Sequence, residues 1–287
     1  MTATTLSPAR VVVPARSIRG ELRAVKMVWL REVERFASDR LRMITSLIQP
    51  LLFLFVLGTG LSRIASAGTG GLNLRTFLYP GILAMAVMFT AMFSAASIVW
   101  DREFGFLREM LVAPIRRSSI VIGKCLGGAT VATFQGVLVI CLAGLVGVPY
   151  TPKLIIEIFA LQVLLAYTLT AFGVMVAARI KQIQSFMALT QMLIMPLFFV
   201  SGAMFPLTGL PPWLTVLNRL DPLTYAVDPM RRAVFSQLDL APDIRARLDP
   251  GVSWGGWHVP PLMCAAVVAA IGIGMTAVAI AEFAQSD

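Results

Sequence analysis

Asp101–Arg117, DREFGFLREMLVAPIRR, is a charged island between two long apolar runs. Phe104, Leu107, Met110 and Leu111 recur at three-to-four-residue spacing, the stripe a helix lays on a partner. Asp101, Arg102, Glu103, Arg108 and Glu109 fill the remaining surface. Ala113-Pro114 ends the helix, because proline has no N–H and disfavours helical geometry in the residue before it. Two readings stay open for this island. It is an interfacial helix resting on headgroups, or a contact point for a soluble protein beneath a membrane.

The flanks decide that a membrane is present. Of 287 residues 57% are hydrophobic and only 14% charged, with a mean hydropathy of +0.81. Six apolar runs reach the roughly 20 residues that a bilayer core requires: about 43–61, 78–100, 120–147, 155–178, 186–205 and 259–283. The third opens with Gly123-Lys124-Cys125-Leu126-Gly127, a spacing of small residues that permits close helix approach within a bundle. Residues 1–18 are rich in Pro, Ser and Thr and read as a disordered N-terminus. Residues 19–42 read as a basic amphipathic helix on the membrane surface, with Leu22, Val25, Trp29, Val33 and Phe36 on one face. It is a simple anchor or a supporting contact to a cytoplasmic partner. The first apolar run begins only near Met43, so no cleavable signal is expected.

Orientation follows from lysine and arginine. Short flanks on the side of the island carry sixteen such residues against three on the other side. Both termini and the 101–117 island are therefore expected in the cytoplasm. The net charge of +9 belongs to these flanks and gives no reason to expect nucleic acid.

The long outer segment 206–258 holds two Asp-Pro pairs, Asp221-Pro222 and Asp228-Pro229. Aspartate at an N-cap with proline at the first helical position starts a helix, so short broken helices that dip back into the outer leaflet are predicted. Residues 238–258 read as an exposed loop. The polar residues deepest in the spans are Gln135, Gln162, Tyr167 and Gln191. Interhelical hydrogen bonds explain them as well as pathway lining does.

Several chemistries have no motif. There is no GxxxxGK[ST] phosphate cradle, no HExxH and no G-x-S-x-G. The three cysteines lie in apolar runs without ligand spacing, so neither disulfide nor metal is expected. His258 is the only histidine. The span interiors hold almost no ionisable groups, unlike ion-coupled carriers. Energy for any transport must then come from another subunit. A membrane-embedded lipid-modifying enzyme and a non-transporting scaffold are the other classes considered; the first needs a nucleophile or acid/base pair, and only 206–258 offers room for one.

The run DREFGFLREMLVAPIRRSSIVIGK resembles the first cytoplasmic loop of ABC-2-type exporter permeases, in particular the daunorubicin/doxorubicin-resistance-like subgroup of multidrug exporters. Tyr79-Pro80-Gly81-Ile82-Leu83 and Pro222-Leu223-Thr224-Tyr225, with Arg231 beyond, are similar to further family signatures. The resemblance covers nearly the whole chain. It implies an all-α integral membrane protein: six transmembrane helices, an N-terminal connecting helix over 19–42, and an ABC-2-type domain over 43–287. A cytoplasmic coupling helix is placed between spans 1 and 2, and re-entrant outer helices between spans 5 and 6. Two permeases, identical or paired with a paralogue, would sit in the plasma membrane on two copies of a soluble ATPase that carries the ATP and Mg. Asp101, Glu103, Phe104, Gly105, Phe106, Arg108 and Glu109 would couple to that ATPase. Pro222, Leu223, Tyr225, Asp228 and Arg231 would form an outer-gate signature, for which packing and capping are equally good explanations. The implied activity is outward movement of a drug-like, lipid or glycan-like cargo, with no catalytic residue on this chain.

Overall fold

The computed structural model describes residues 17–60, 73–106, 110, 115–207, 209–238, 241–254 and 257–285. The expectations made for residues 1–16, and for Leu107, Arg108, Glu109, Leu111 and Ala113-Pro114, lie outside the described residues.

Helix α1 (Ile18–Ser38) starts at Ser17, whose hydroxyl accepts from the Gly20 N–H at 3.0 Å and satisfies one orphan donor of the first turn. It stops at Asp39, so the stretch read as one helix over 19–42 is divided. Helix α2 (Arg40–Leu52) follows and carries Pro50 inside it. Pro50 removes one rung of the hydrogen-bond ladder, and the helix continues as a π turn over Phe53–Leu57 before ending at Gly60. Met43–Gly60 is the first of six helices long and apolar enough to cross a membrane.

Span two is the centre of the bundle. It comprises α3 (Leu74–Ser94) and α4 (Ala96–Glu103), and Tyr79, Leu83, Met85, Met88 and Met92 on it are fully buried. The Tyr79-Pro80-Gly81 run has a steric reason: a Cβ at Gly81 would strike the backbone carbonyl of Ala203. The island residues 101–106 follow this second span, so the placement between spans 1 and 2 is corrected. Helix α4 itself carries the island as far as Glu103.

Spans three to six are α5 (Arg117–Ile140), α6 (Pro152–Arg179), α7 (Ile183–Val200) and α11 (Pro261–Gln285). The third is shorter than the 120–147 run, because a 3₁₀ turn at Ala143–Val146 replaces its last residues. Tyr150 holds that turn: its hydroxyl donates to the Cys141 carbonyl at 2.6 Å and accepts from the Gly144 N–H at 2.9 Å. At the end of the bundle rich in Lys and Arg, Arg179 pairs with Glu282 at 2.5 Å. Arg117 donates to the carbonyls of Phe283 and Ala284, capping the last turn of α11.

The amphipathic helix does more than rest on a surface. Helix α1 packs along α5 through Val28, Glu32 and Phe36, one face at four-residue spacing. Of the predicted stripe, Phe36 is on this face, whereas Leu22 is 64% exposed. The glycines of Gly123-Lys124-Cys125-Leu126-Gly127 serve this contact. Cβ atoms there would come within 2.7 Å of Val28 and 2.6 Å of Glu32. The small-residue spacing thus seats the N-terminal helix instead of two spans on each other.

At the far end, α8 (Pro212–Leu220), α9 (Thr224–Phe235) and α10 (Pro242–Leu248) precede a two-residue hairpin of β1 (Ser253–Trp254) and β2 (Trp257–His258). Broken helices are present, as expected, but neither Asp-Pro pair starts one: α9 begins at Thr224 with Leu223 at its N-cap, and the Asp221 carboxylate accepts from the Leu223 N–H at 2.9 Å in the turn before it. Asp228-Pro229 lies inside α9, where Asp228 pairs with Arg232 one turn on, at 2.6 Å. Nor is 238–258 a plain exposed loop. Leu248 and Val252 are buried under the cap.

Candidate functional site

The island grows out of the most polar buried point of the basic end. Lys124 of α5 is 3% exposed. Its ammonium donates to Glu32 of α1 at 2.5 Å, to Asp101 of α4 at 2.5 Å and to the Ser97 hydroxyl at 3.0 Å. The second oxygen of Asp101 takes the guanidinium of Arg31. Two acids and two bases thus neutralise each other where three helices meet. A buried charge is tolerable only with such partners. No periodicity argument would place Glu32 in a core, since it sits among the charged residues of an amphipathic helix. The available signal was Lys124 itself, a lone cation one turn inside an apolar run.

The next two residues of α4 reach the opposite way. Arg102 donates to the carbonyls of Ala178 at 2.9 Å and Ile180 at 2.7 Å, at the end of α6. Glu103 accepts from the backbone N–H of Ile183, the first residue of α7, at 3.0 Å. A cation on a helix C-terminus and an anion on a helix N-terminus both match the local dipole. The chain then leaves the bundle. Phe104 is 70% and Phe106 54% exposed, and between them Gly105 has φ +84°, a turn that a side chain would strain. Of the expected coupling residues, Asp101 is therefore an internal brace, Glu103 is an exposed brace on the start of α7, and Phe104, Gly105 and Phe106 are presented outward. Arg108 and Glu109 lie outside the described residues.

The far-end signature is a buried polar cluster. Arg231 of α9 is 3% exposed and donates to the carbonyls of Gly202 at 2.6 Å and Ala203 at 3.2 Å. Gly202 has φ +72°, which turns its carbonyl toward the guanidinium. The guanidinium also lies 4.5 Å from the centre of the Phe77 ring. Tyr225 donates to the Arg219 carbonyl at 2.8 Å and accepts from the Trp254 indole at 3.0 Å, tying the hairpin to α8. Pro222 and Leu223 form the buried turn into α9.

Burial raises the carboxyl of Asp221 to about 8, its bond from Leu223 acting the other way. Burial, with the Asp228 charge nearby, raises Asp249 to about 6 against Arg232 and Arg231. Both carboxyls are raised above their unfolded values, so their contribution favours the fold below about pH 4 and is lost as pH rises through the folded values. Acidifying from pH 8 to 5 is expected to raise the protection factors of α9 and the hairpin severalfold, with exchange rates corrected for the intrinsic pH dependence of amide exchange. Asp221→Asn with Asp249→Asn should flatten that profile.

The four candidate pathway residues do not converge. Gln135 is buried and accepts from Ser46 of span one at 3.0 Å, with its amide nitrogen unpaired. Gln162 lies across the gap that Gly136 leaves open. Tyr167 shares a hydrogen bond with Thr276 on α11, and Gln191 faces outward on α7. Two cavities are better marked. One of about 220 Å³ is lined by Phe36, Thr45, Ser46, Gln49, Phe89 and Phe93. The other, of about 280 Å³, opens beside Glu32, Arg35, Ser97 and Trp100, and shares Phe36 and Phe93 with the first. Among the described residues no cluster of His, Cys, Asp and Glu could hold a metal ion.

The family model for ABC-2 type transporters matches residues 23–235, most of the chain and every element of the two clusters but the hairpin region. The chain belongs to the ABC-2 type transporter family. It is 33% identical over 193 residues to the putative transport permease ycf38 of Cyanophora paradoxa, an alignment covering 66% of either chain, just under two thirds. It is 31% identical to nodulation protein J of Rhizobium leguminosarum bv. trifolii over 71% of this chain and 78% of that one. The inner membrane transport permease YadH of Escherichia coli K12 is 25% identical over 72% of this chain and 81% of its own. This ABC-2 chain is thus a membrane permease subunit and not an enzyme, and the family implies an ATP-binding partner.

Proposed function

We propose that this permease is the membrane half of an exporter that moves an amphipathic cargo outward, driven by ATP hydrolysis on a separate soluble subunit. The observation that carries the reading is the inner junction. Two exposed phenylalanines flank a glycine turn, directly continuous with residues that brace the bodies of α1 and α5 and the facing ends of α6 and α7. A rigid-body motion applied at Phe104 and Phe106 would reach α1, α5, α6 and α7 together. Phe104 and Phe106 supply the anchors, with Glu103, Arg108 and Glu109 as the surrounding charges and Asp101 bracing the helix from inside.

The basic end faces the cytoplasm with both termini, in the plasma membrane; the inner-membrane name of the YadH relative supports that location. The far-end cap, with Pro222, Leu223, Tyr225, Asp228 and Arg231, closes the pathway from outside. Helix α8 turns exposed Trp213, Val216 and Leu220 to the surface, as a re-entrant or interfacial element would. Span one and α7 leave Ile44, Val56, Met192 and Phe199 exposed, faces suited to lipid or to a second permease, the same chain or a paralogue. Two ATPase copies would serve the pair, and ATP and Mg would bind there. The mixed aromatic and polar walls of the two cavities suit a drug-like, lipid or glycan-like molecule, consistent with efflux and with the daunorubicin-resistance-like subgroup. Gln135, through Ser46, is the best placed of the four deep polar residues to touch it.

Purification of the tagged permease from its own host tests this. The expected result is a stoichiometric soluble subunit with Walker motifs, whose ATP turnover changes on reconstitution with the permease. A permease that purifies alone from native membranes contradicts the reading.

A further inference from the structure

Lys124 has no place in a pathway and no exposed surface, yet it is the atom-level meeting point of the basic end. All three of its N–H donors are engaged, by Glu32, Asp101 and Ser97. These partners belong to α1 and to the last two turns of span two, whereas Lys124 itself belongs to span three. Gly123 and Gly127 flank it and let the α1 backbone approach closely. Arg31 holds the free oxygen of Asp101 from the same side.

Cohesion alone does not require this arrangement. Replacing a buried ion cluster by apolar side chains of similar size is often neutral or stabilising. What charges add is register: α1 can slide or rotate on an apolar seam, but only one setting pairs Glu32 with Lys124 while Lys124 holds Asp101. Asp101 is followed at once by Arg102 and Glu103, which grip the α6–α7 turn, and then by the exposed Phe104.

We propose that Lys124 is the positioning residue of energy coupling, a buried pin that makes α1 and the inner end of span two move as one lever. This rests on the exporter reading and adds to it where the force enters the membrane. Without the pin, the partner still docks on Phe104 and Phe106 and still hydrolyses ATP, but its motion is dissipated between α1 and α5. A residue that served only folding would lower the amount of complex and leave coupling per complex unchanged.

The test uses the whole complex, permease with its co-purified ATPase, in lipid nanodiscs, with ATP itself as the probe. Cys141→Ser removes the exposed native thiol, and a spin label at Val216 on exposed α8 reports the far end. Lys124→Met is expected to keep the ATPase bound and its turnover within about twofold. The ATP-dependent change at Val216 should fall at least fivefold. Lys124→Arg should restore half of it or more. Charge exchange, Glu32→Lys with Lys124→Glu, should recover more than either single variant. A wild-type-sized response in Lys124→Met overturns the proposal. If that variant does not reach the membrane, Glu32→Gln, which leaves Lys124 its Asp101 partner, should weaken the response at least twofold, and an unchanged response overturns it equally. A wild-type complex with no ATP-dependent change removes the exporter reading together with the pin, whereas a response insensitive to Lys124 removes the pin alone.

Discussion

Arg231→Met is expected to lower stability by about 3–5 kcal/mol, the usual cost of removing one partner from a buried charged cluster. Asp228 and Asp249 keep Arg232 but lose the second cation that opposes their burial, and the carbonyls of Gly202 and Ala203 lose their donor. Burial already draws the Arg231 guanidinium down to about 10, the two aspartates acting the other way. In detergent the thermal midpoint should fall by roughly 10 °C. Arg231→Lys should recover little of this. An ammonium is a point charge that cannot bridge two successive carbonyls while lying over the Phe77 ring. An unchanged midpoint for Arg231→Met would mean that the far-end cap is held by something else.

The second large effect concerns the partner. Phe104→Ala with Phe106→Ala should weaken ATPase binding at least thirtyfold, taking about 2 kcal/mol for loss of a central aromatic anchor. Both side chains are exposed in the free permease, so its membrane level and thermal midpoint should not change. Gly105→Pro should act similarly, since proline cannot adopt the φ of +84° found there. Val216→Ala, an equally exposed apolar site at the far end, serves as the control and should bind normally. Titration of purified permease variants against the ATPase gives the affinities, and normal affinity for the double variant would remove the docking role.

The sequence was most legible where one rule dominated. Hydropathy found all six spans, because a bilayer leaves long apolar helices as the simple solution. Legibility failed where tertiary partners overrode a local rule. Glu32 looked like a solvated face and is buried, because Lys124 neutralises it. Asp228-Pro229 looked like a helix start and lies in mid-helix, because Arg232 takes the carboxylate that would otherwise cap. Glu103, read as a contact for the partner, is exposed and also accepts from the Ile183 N–H at the start of α7, a bond to a segment far along the chain that no local pattern foretells. The deep glutamines could be found but not grouped, since Gln191 and Gln135 differ in which way their helices face. The two cavities depend on Phe36, Phe89 and Phe93, whose spacing is indistinguishable from ordinary packing.

The central claim is that a soluble ATP-binding subunit grips this permease at Phe104. Its most direct test is photo-crosslinking in intact cells with p-benzoylphenylalanine in place of Phe104, and in place of Trp213 for comparison. The account predicts an adduct with the ATP-binding subunit from position 104 and none from position 213. An ATPase adduct from 213 alone, or labelling of position 104 by a membrane-impermeant reagent applied outside, would contradict it.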